Sequence, residues 1–461
     1  MSPRRPVRPT AMERTAETER TAETERTAEA EDPGRRNNGL GAAGISITLA
    51  GVLVNGLAYL VPVLAARRLD PADLSVLAAA LGLVAIVGVP GLGLQLAVAV
   101  HRARHGASDT RRLTAVTAAV CAGTLVAATP LLVIALDLPV EMPALLAVTT
   151  AAIVLSSRSL GELQGSQRFV RLAIGMAVLA AGRYGGVIAG LLLGTGPTGA
   201  LAVGALTAAL TPAVLARLAR EPQRSSTAPR LTVAQVVAGC GATLAMLVVS
   251  YADLLLSRQL LPPSDSGAYS VGTVLSKGAL WAPQVAAVLA LPRLARGDRR
   301  SRTVALAVTG GCGVVLVLAS TLAGGLAFRL AGGPGYDHLG RYAPLFAAVG
   351  ALYAVTFVLL NDRLAAGARW AAAPLWLGVA GLVAVTATLR PHTVPGLLLA
   401  ALGTAIGTTA LMAVTARRPA PVPAADPTSP PPASPSAVGG RSSPPDRAGD
   451  PRPPGPAAPP G

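Results

Sequence analysis

ARRLDPADLS at residues 66–75 and SRQLLPPSDS at residues 257–266 are built on one plan. Each follows an apolar run, and each pairs a basic residue with Leu and then Pro: Arg67, Leu69 and Pro71 in the first, Arg258, Leu260 and Pro262 in the second. Both read as corners between two apolar helices. The same corner used twice, about 190 residues apart, points to a chain with an internal duplication.

The runs around the corners say what solvent they face. The chain of 461 residues is 52% hydrophobic and only 13% charged, a balance wrong for a water-soluble protein of this length. Twelve windows rich in Ala, Leu, Val and Gly are long enough to cross a hydrocarbon core about 30 Å thick as helices. They cover residues 40–66, 74–100, 113–136, 140–157, 172–193, 198–216, 231–256, 268–291, 303–328, 342–362, 371–389 and 394–416. None alternates polar with apolar residues as a barrel strand does. The predicted class is therefore all-α, a polytopic membrane protein of about twelve helices. Pro62, Pro90, Pro130, Pro212 and Pro283 fall inside or near the ends of these windows, where a missing backbone donor kinks a helix.

A net charge of +16 raises the question of nucleic acid, and its distribution answers it. Residues 1–38 hold eight Arg against eight acids, and residues 419–461 hold three against three. The excess lies between the windows, in every second loop: HRARHGASDTRR after the second window and LPRLARGDRRSR after the eighth are the densest. That is the positive-inside pattern, which predicts a multi-pass protein of the cell membrane with both termini cytoplasmic. It leaves no charge that calls for a nucleic-acid partner. Cys121, Cys240 and Cys312 sit inside apolar windows without motif spacing and read as packing residues.

Residues 1–38 contain the repeat ERTAETERTAETERTAEAED, and residues 419–461 are rich in Pro, Ser, Gly and Ala. Neither has the bulky apolar content needed to fold alone, so both are expected to be disordered tails. Between them, residues 39–220 and 221–418 each hold six windows. An even number of crossings returns the chain to the same side, so two such halves share orientation and are related by an axis along the membrane normal. A duplicated six-helix unit predicts a central cavity between the halves.

The order of segments carries a resemblance. Asn55 opens NGLAYL, and then come AARRLDPADLSVLAAALGL, GELQGSQRFVRLAIG and YADLLLSRQLLPPSDSGAYSVGTVLSKGAL. Spread over residues 40 to about 415, this order resembles the polysaccharide flippases of the multidrug/oligosaccharidyl-lipid/polysaccharide exporter superfamily. The matching elements are Leu69–Pro71, Leu163–Phe169, Asp253 and Gly267–Ser270. The resemblance implies a twelve-helix transporter whose cargo is a polyprenyl-linked glycan, moved across the cytoplasmic membrane by alternating access, with glycan-assembly enzymes as partners besides the membrane lipids. Aromatic residues make up only 3% of the chain, which leaves few faces for a sugar ring to stack on.

Charge at the bilayer centre costs about 2.5–3.5 kcal/mol on insertion scales, so a charge kept there is expected to face protein or water. Arg183, beside Tyr184 in LAAGRYGGVIAG, and Lys277, the only lysine, are at that depth. Lys277, Trp281 and Gln284 fall on one helical face. Fixed positive charge suits the phosphate of a lipid-linked sugar. Each cation also has an ordinary reading: Arg183 against a helix break, Lys277 paired with Asp253. Asn55 is a candidate for the cleft wall or for an interhelical hydrogen bond. Asp253 is an ion-coupling candidate, or an interfacial residue beside Arg258 near the outer end of its helix.

Three classes of function follow. A lipid-linked oligosaccharide flippase leads. An integral-membrane glycosyltransferase would use Asp70 and Asp73 in the first corner, but Leu261 stands where the second corner would need Asp70. A drug or small-cation exporter of the same superfamily would want carboxylates deep in the cleft. No G-x-x-x-x-G-K-[ST] motif occurs, so P-loop ATP hydrolysis is not expected, nor is any catalytic residue, metal site or cofactor.

Overall fold

A computed structural model describes residues 33–106, 109–220, 231–294, 299–365, 368 and 370–417. The tails expected to be disordered, apart from residues 33–38 at the start of the first helix, lie outside the described residues.

Each predicted run is helical, and the described residues contain no strand. The first half is α1 (Pro33–Arg68), α2 (Pro71–Val87 continued by Val89–His105), α3 (Arg111–Ala127 continued by Thr129–Leu136), α4 (Met142–Gly165), α5 (Phe169–Ala180, a π-helical turn Ala181–Gly185, and Gly186–Leu192) and α6 (Gly196–Leu218). The second half is α7 (Val233–Leu260), α8 (Pro263–Leu294), α9 (Arg299–Gly332), a 3-10 segment Pro334–Tyr342, α10 (Ala343–Ala365), α11 (Ala373–Leu389) and α12 (Val394–Arg417). Among the described residues, nine of these spans are long and apolar enough to cross a membrane, and α3 makes a tenth if its two pieces count as one. Leu322 and Ile134, 90% and 84% exposed, show where lipid rather than protein covers the surface.

Proline and local charge explain the breaks and ends. α2 restarts at Val89, just before Pro90, and α3 bends by 48° just before Pro130, because a proline at the start of a helical piece needs no donor. Pro62 and Pro212 lie inside continuous helices. The fourth run extends well past Ser157 to Gly165, a correction to the window of 140–157. Arg158 and Glu162, one turn apart and 2.8 Å from each other, offset one another's charge and let the helix continue.

The duplication shows in the packing. α4 lies against α2, α3 and α6, and α10, six helices later, lies against α8, α9 and α12. α5 packs on α6 as α11 packs on α12. The two halves meet where α7 and α8 pass α2. Lipid supplies no hydrophobic drive between helices, so close approach of backbones does the work there. A Cβ at Gly82 on α2 would stand 3.0 Å from the Tyr251 ring of α7.

Candidate functional site

α5 reaches mid-membrane as LAAGRYGGVIAG, where small residues on both sides allow one widened turn, Ala181–Gly185. Such π turns often mark functional positions in helices. The Thr207 hydroxyl of α6 donates to the Gly182 carbonyl at 2.5 Å and ties this turn to its neighbour. Arg183 sits in it, half-buried, with its guanidinium 4.8 Å from the centroid of the Tyr184 ring. Its Nε is buried and makes no hydrogen bond. A buried N–H left without an acceptor costs about 1–3 kcal/mol, a cost that Arg158 Nε and Arg363 Nε share.

Lys277 approaches from the other half. Its Nζ donates to the Ser250 carbonyl of α7 and lies 3.5 Å from the centroid of the next ring, Tyr251. The ammonium is therefore held by two adjacent residues of one helix, through a carbonyl dipole and a ring face. Tyr251 is in turn within electrostatic range of Arg183 and Tyr184. Tyr59 of α1 is also within electrostatic range of Tyr251, with a buried hydroxyl that makes no hydrogen bond among the described residues.

Asp253, two residues along α7 from Tyr251, is buried. One carboxylate oxygen accepts from the Tyr269 hydroxyl at 2.9 Å and the other from the Leu254 amide at 2.9 Å. Lys277 and Tyr353 are within its electrostatic range. The expectation of an interfacial Asp253 beside Arg258 is corrected. α7 runs on to Leu260, which leaves Asp253 inside the bundle, and the Arg258 side chain turns to α3 instead, donating to the Leu136 carbonyl at 2.7 Å.

The other expected site residues lie elsewhere. Trp281 meets Phe357 of α10 edge-on, ring centroids 6.2 Å apart, and packs on the main core. Asn55 is exposed and donates to the Gly51 carbonyl of its own helix at 3.0 Å. The Gln284 side chain lies outside the described residues. Asp70 caps α2, accepting from the Asp73 amide at 2.9 Å.

The residues that sequence reasoning missed are tyrosines. Beyond Tyr184, already a candidate beside Arg183, four more of the seven in the chain, Tyr59, Tyr251, Tyr269 and Tyr353, lie within electrostatic or hydrogen-bond range of one another, Arg183 or Asp253, so a low aromatic content does not mean an aromatic-poor site. Two of them stood in view: Tyr251 opens the YADLLL segment that holds Asp253, and Tyr269 belongs to the Gly267–Ser270 element. What the cluster presents is two cations on tyrosine faces beside one buried carboxylate, at the meeting of the two halves.

No family model and no curated protein matches the sequence. Solved structures do match. A eukaryotic MATE transporter, AtDTX14, aligns over 81% of this chain and 95% of its own at 15% identity, with a TM-score of 0.53. A multidrug resistance MATE family transporter of the MOP superfamily aligns in its inward-facing conformation over 81% of this chain and 98% of its own, at 14% identity and a TM-score of 0.53. For a multidrug resistance MATE family transporter in an outward-facing conformation the corresponding figures are 81%, 94%, 14% and 0.52. At these identities the likeness concerns the fold: twelve helices in two six-helix halves. The two conformations fit about equally well, so the likeness assigns no conformational state.

Proposed function

We propose that this chain is a membrane exporter working by alternating access, and that its cargo is a lipid-linked oligosaccharide or polysaccharide precursor carried to the outer leaflet. The observation that carries the reading is the Lys277 ammonium 3.5 Å from the centre of the Tyr251 ring, with Arg183 of the other half within electrostatic range of that same tyrosine. A cargo phosphate held between them would touch both halves at once. Its binding energy would then depend on how the halves sit, which is the differential affinity that alternating access requires. Arg183 supplies a guanidinium N–H with no protein acceptor, and charge-assisted bonds to phosphate are among the strongest available at such a site. The tyrosine faces suit the sugar. Asp253, buried beside Lys277, is the candidate for coupling to an ion. The basic loops support both termini in the cytoplasm; glycan-assembly enzymes are the partners such a cargo would imply.

The second reading is a drug or organic-cation exporter. It is favoured by the buried carboxylate of Asp253 and by the multidrug resistance named for the neighbours of like fold.

Titration of the purified protein in detergent with undecaprenyl pyrophosphate, and separately with a lipophilic quaternary ammonium dye, tests one against the other. Saturable binding of the pyrophosphate lipid that Arg183→Ala weakens supports the first reading. Binding of the dye alone, weakened by Asp253→Asn, replaces it with the second.

A further inference from the structure

The repeated corners hold each other's halves. Arg67, at the end of α1, donates through Nη2 to the Leu330 carbonyl in the last turn of α9, 3.1 Å away. Arg258, near the end of α7, donates through Nε to the Leu136 carbonyl that ends α3, and through Nη2 to the Asp137 carbonyl at 2.9 Å. α7 is the repeat of α1 and α9 the repeat of α3, so the two arms are one interaction made twice, each time from one half to the other. The acceptors suit the donors: carbonyls in the last turn of a helix lack partners in that helix and carry the negative end of its dipole.

The arms differ in strength. The Arg258 side chain is 7% exposed and also donates to the Ser75 hydroxyl of α2 at 2.5 Å. Asp137 is held in the left-handed region at φ 49° beside it. The Asp137 carboxylate, 3.6 Å away and 96% exposed, adds little to the carbonyl bonds. Arg67 is exposed and makes its single bond at the rim of a groove of about 540 Å³, lined by Leu69, Asp265, Tyr336 and His338. Between the arms the corners touch directly. A Cβ on Gly267 of α8 would stand 2.1 Å from the Pro71 carbonyl oxygen of α2.

We infer that Arg67 and Arg258 form a two-part latch that closes the corner-bearing end of the bundle, and that it opens whenever the interior is exposed at that end. An arginine at a corner ordinarily caps its own helix or reaches solvent, whereas both of these cross between halves onto equivalent acceptors. If the halves separate at this end, these bonds and the Gly267–Pro71 contact break together. The consequence for transport rests on the alternating-access reading. The latch itself rests on geometry, and its test follows distances without cargo, so failure of the cargo assignment leaves it standing.

The test is electron–electron distance measurement on the full chain in lipid nanodiscs. Spin labels go on Glu141→Cys and Ser264→Cys, on opposite halves at the latched end, after Cys121, Cys240 and Cys312 have been replaced by Ala. Arg258→Ala is expected to raise the long-distance fraction by roughly tenfold, the range for losing hydrogen bonds to a charged group. Arg67→Ala is expected to move it the same way by less. Arg258→Lys is expected to fall between wild type and Arg258→Ala, since an ammonium lacks the planar fork. If Arg258→Ala does not fold, Arg67→Ala, on an exposed side chain, carries the decision. Distributions for Arg67→Ala and for any folded Arg258→Ala that superimpose on wild type overturn the inference.

Discussion

The ammonium of Lys277 sits 3.5 Å from the centre of the Tyr251 ring, on the helix that also carries Asp253. A cation in that position is held by a ring face and a backbone carbonyl rather than by a carboxylate. The buried Asp253 carboxylate lies within its electrostatic range without pairing with it directly.

The ring rather than the hydroxyl should matter at this position. Tyr251→Phe keeps the face under Lys277 and is expected to leave thermal stability and lipid-pyrophosphate affinity near wild type. Tyr251→Leu removes it and is expected to cost about 0.5–2 kcal/mol, read as a lower melting temperature.

Arg183 should not be replaceable by lysine. Its partnerless Nε belongs to a planar fork that a point charge cannot imitate. Arg183→Lys is therefore expected to bind the pyrophosphate lipid at least about tenfold more weakly than wild type, close to Arg183→Ala. A titration that places Arg183→Lys at wild-type affinity removes the geometric argument and leaves charge alone.

Tyr269→Phe takes the hydroxyl from a buried carboxylate and should destabilise the protein by about 1–3 kcal/mol. The double variant Tyr269→Phe with Asp253→Asn is expected to lose less than the two single losses added together, because they share one bond. Chemical denaturation of the four proteins measures that coupling.

Gly267→Val places a branched side chain where the Pro71 carbonyl already stands. The expected result is a loss of about 1–3 kcal/mol in stability or a corner that no longer closes, seen as a new site of thiol or protease access near Pro71. Substitution at Gly278, which has open space around it, is the control and is expected to leave both unchanged.

The frame of the fold was legible because lipid demands long apolar runs, and the repeat because both corners kept Arg, Leu and Pro in order. Local detail was less so. The end of α4 was missed because Arg158 and Glu162 look like loop charges until one turn of helix pairs them. The depth of Arg183 and Lys277 was readable from their positions in apolar windows. Their common electrostatic neighbour Tyr251 was not, since residues 183, 251 and 277 lie on three helices and no local pattern reports which faces turn together. An interfacial role stays open for Asp253 beside the ion-coupling one as long as its helix is read as ending at 256, four residues short of Leu260. Asn55, polar in an apolar run, drew attention as a wall residue, yet its amide satisfies a carbonyl four residues back on α1.

The most direct measurement is leaflet exchange of a fluorescent polyprenyl-pyrophosphate sugar in vesicles containing the purified protein. The wild type should exchange it well above the rate of protein-free vesicles, while Arg183→Ala and Lys277→Ala should fall to that background rate. A wild type no faster than protein-free vesicles, or two variants as fast as wild type, would contradict a cargo phosphate held between those two cations.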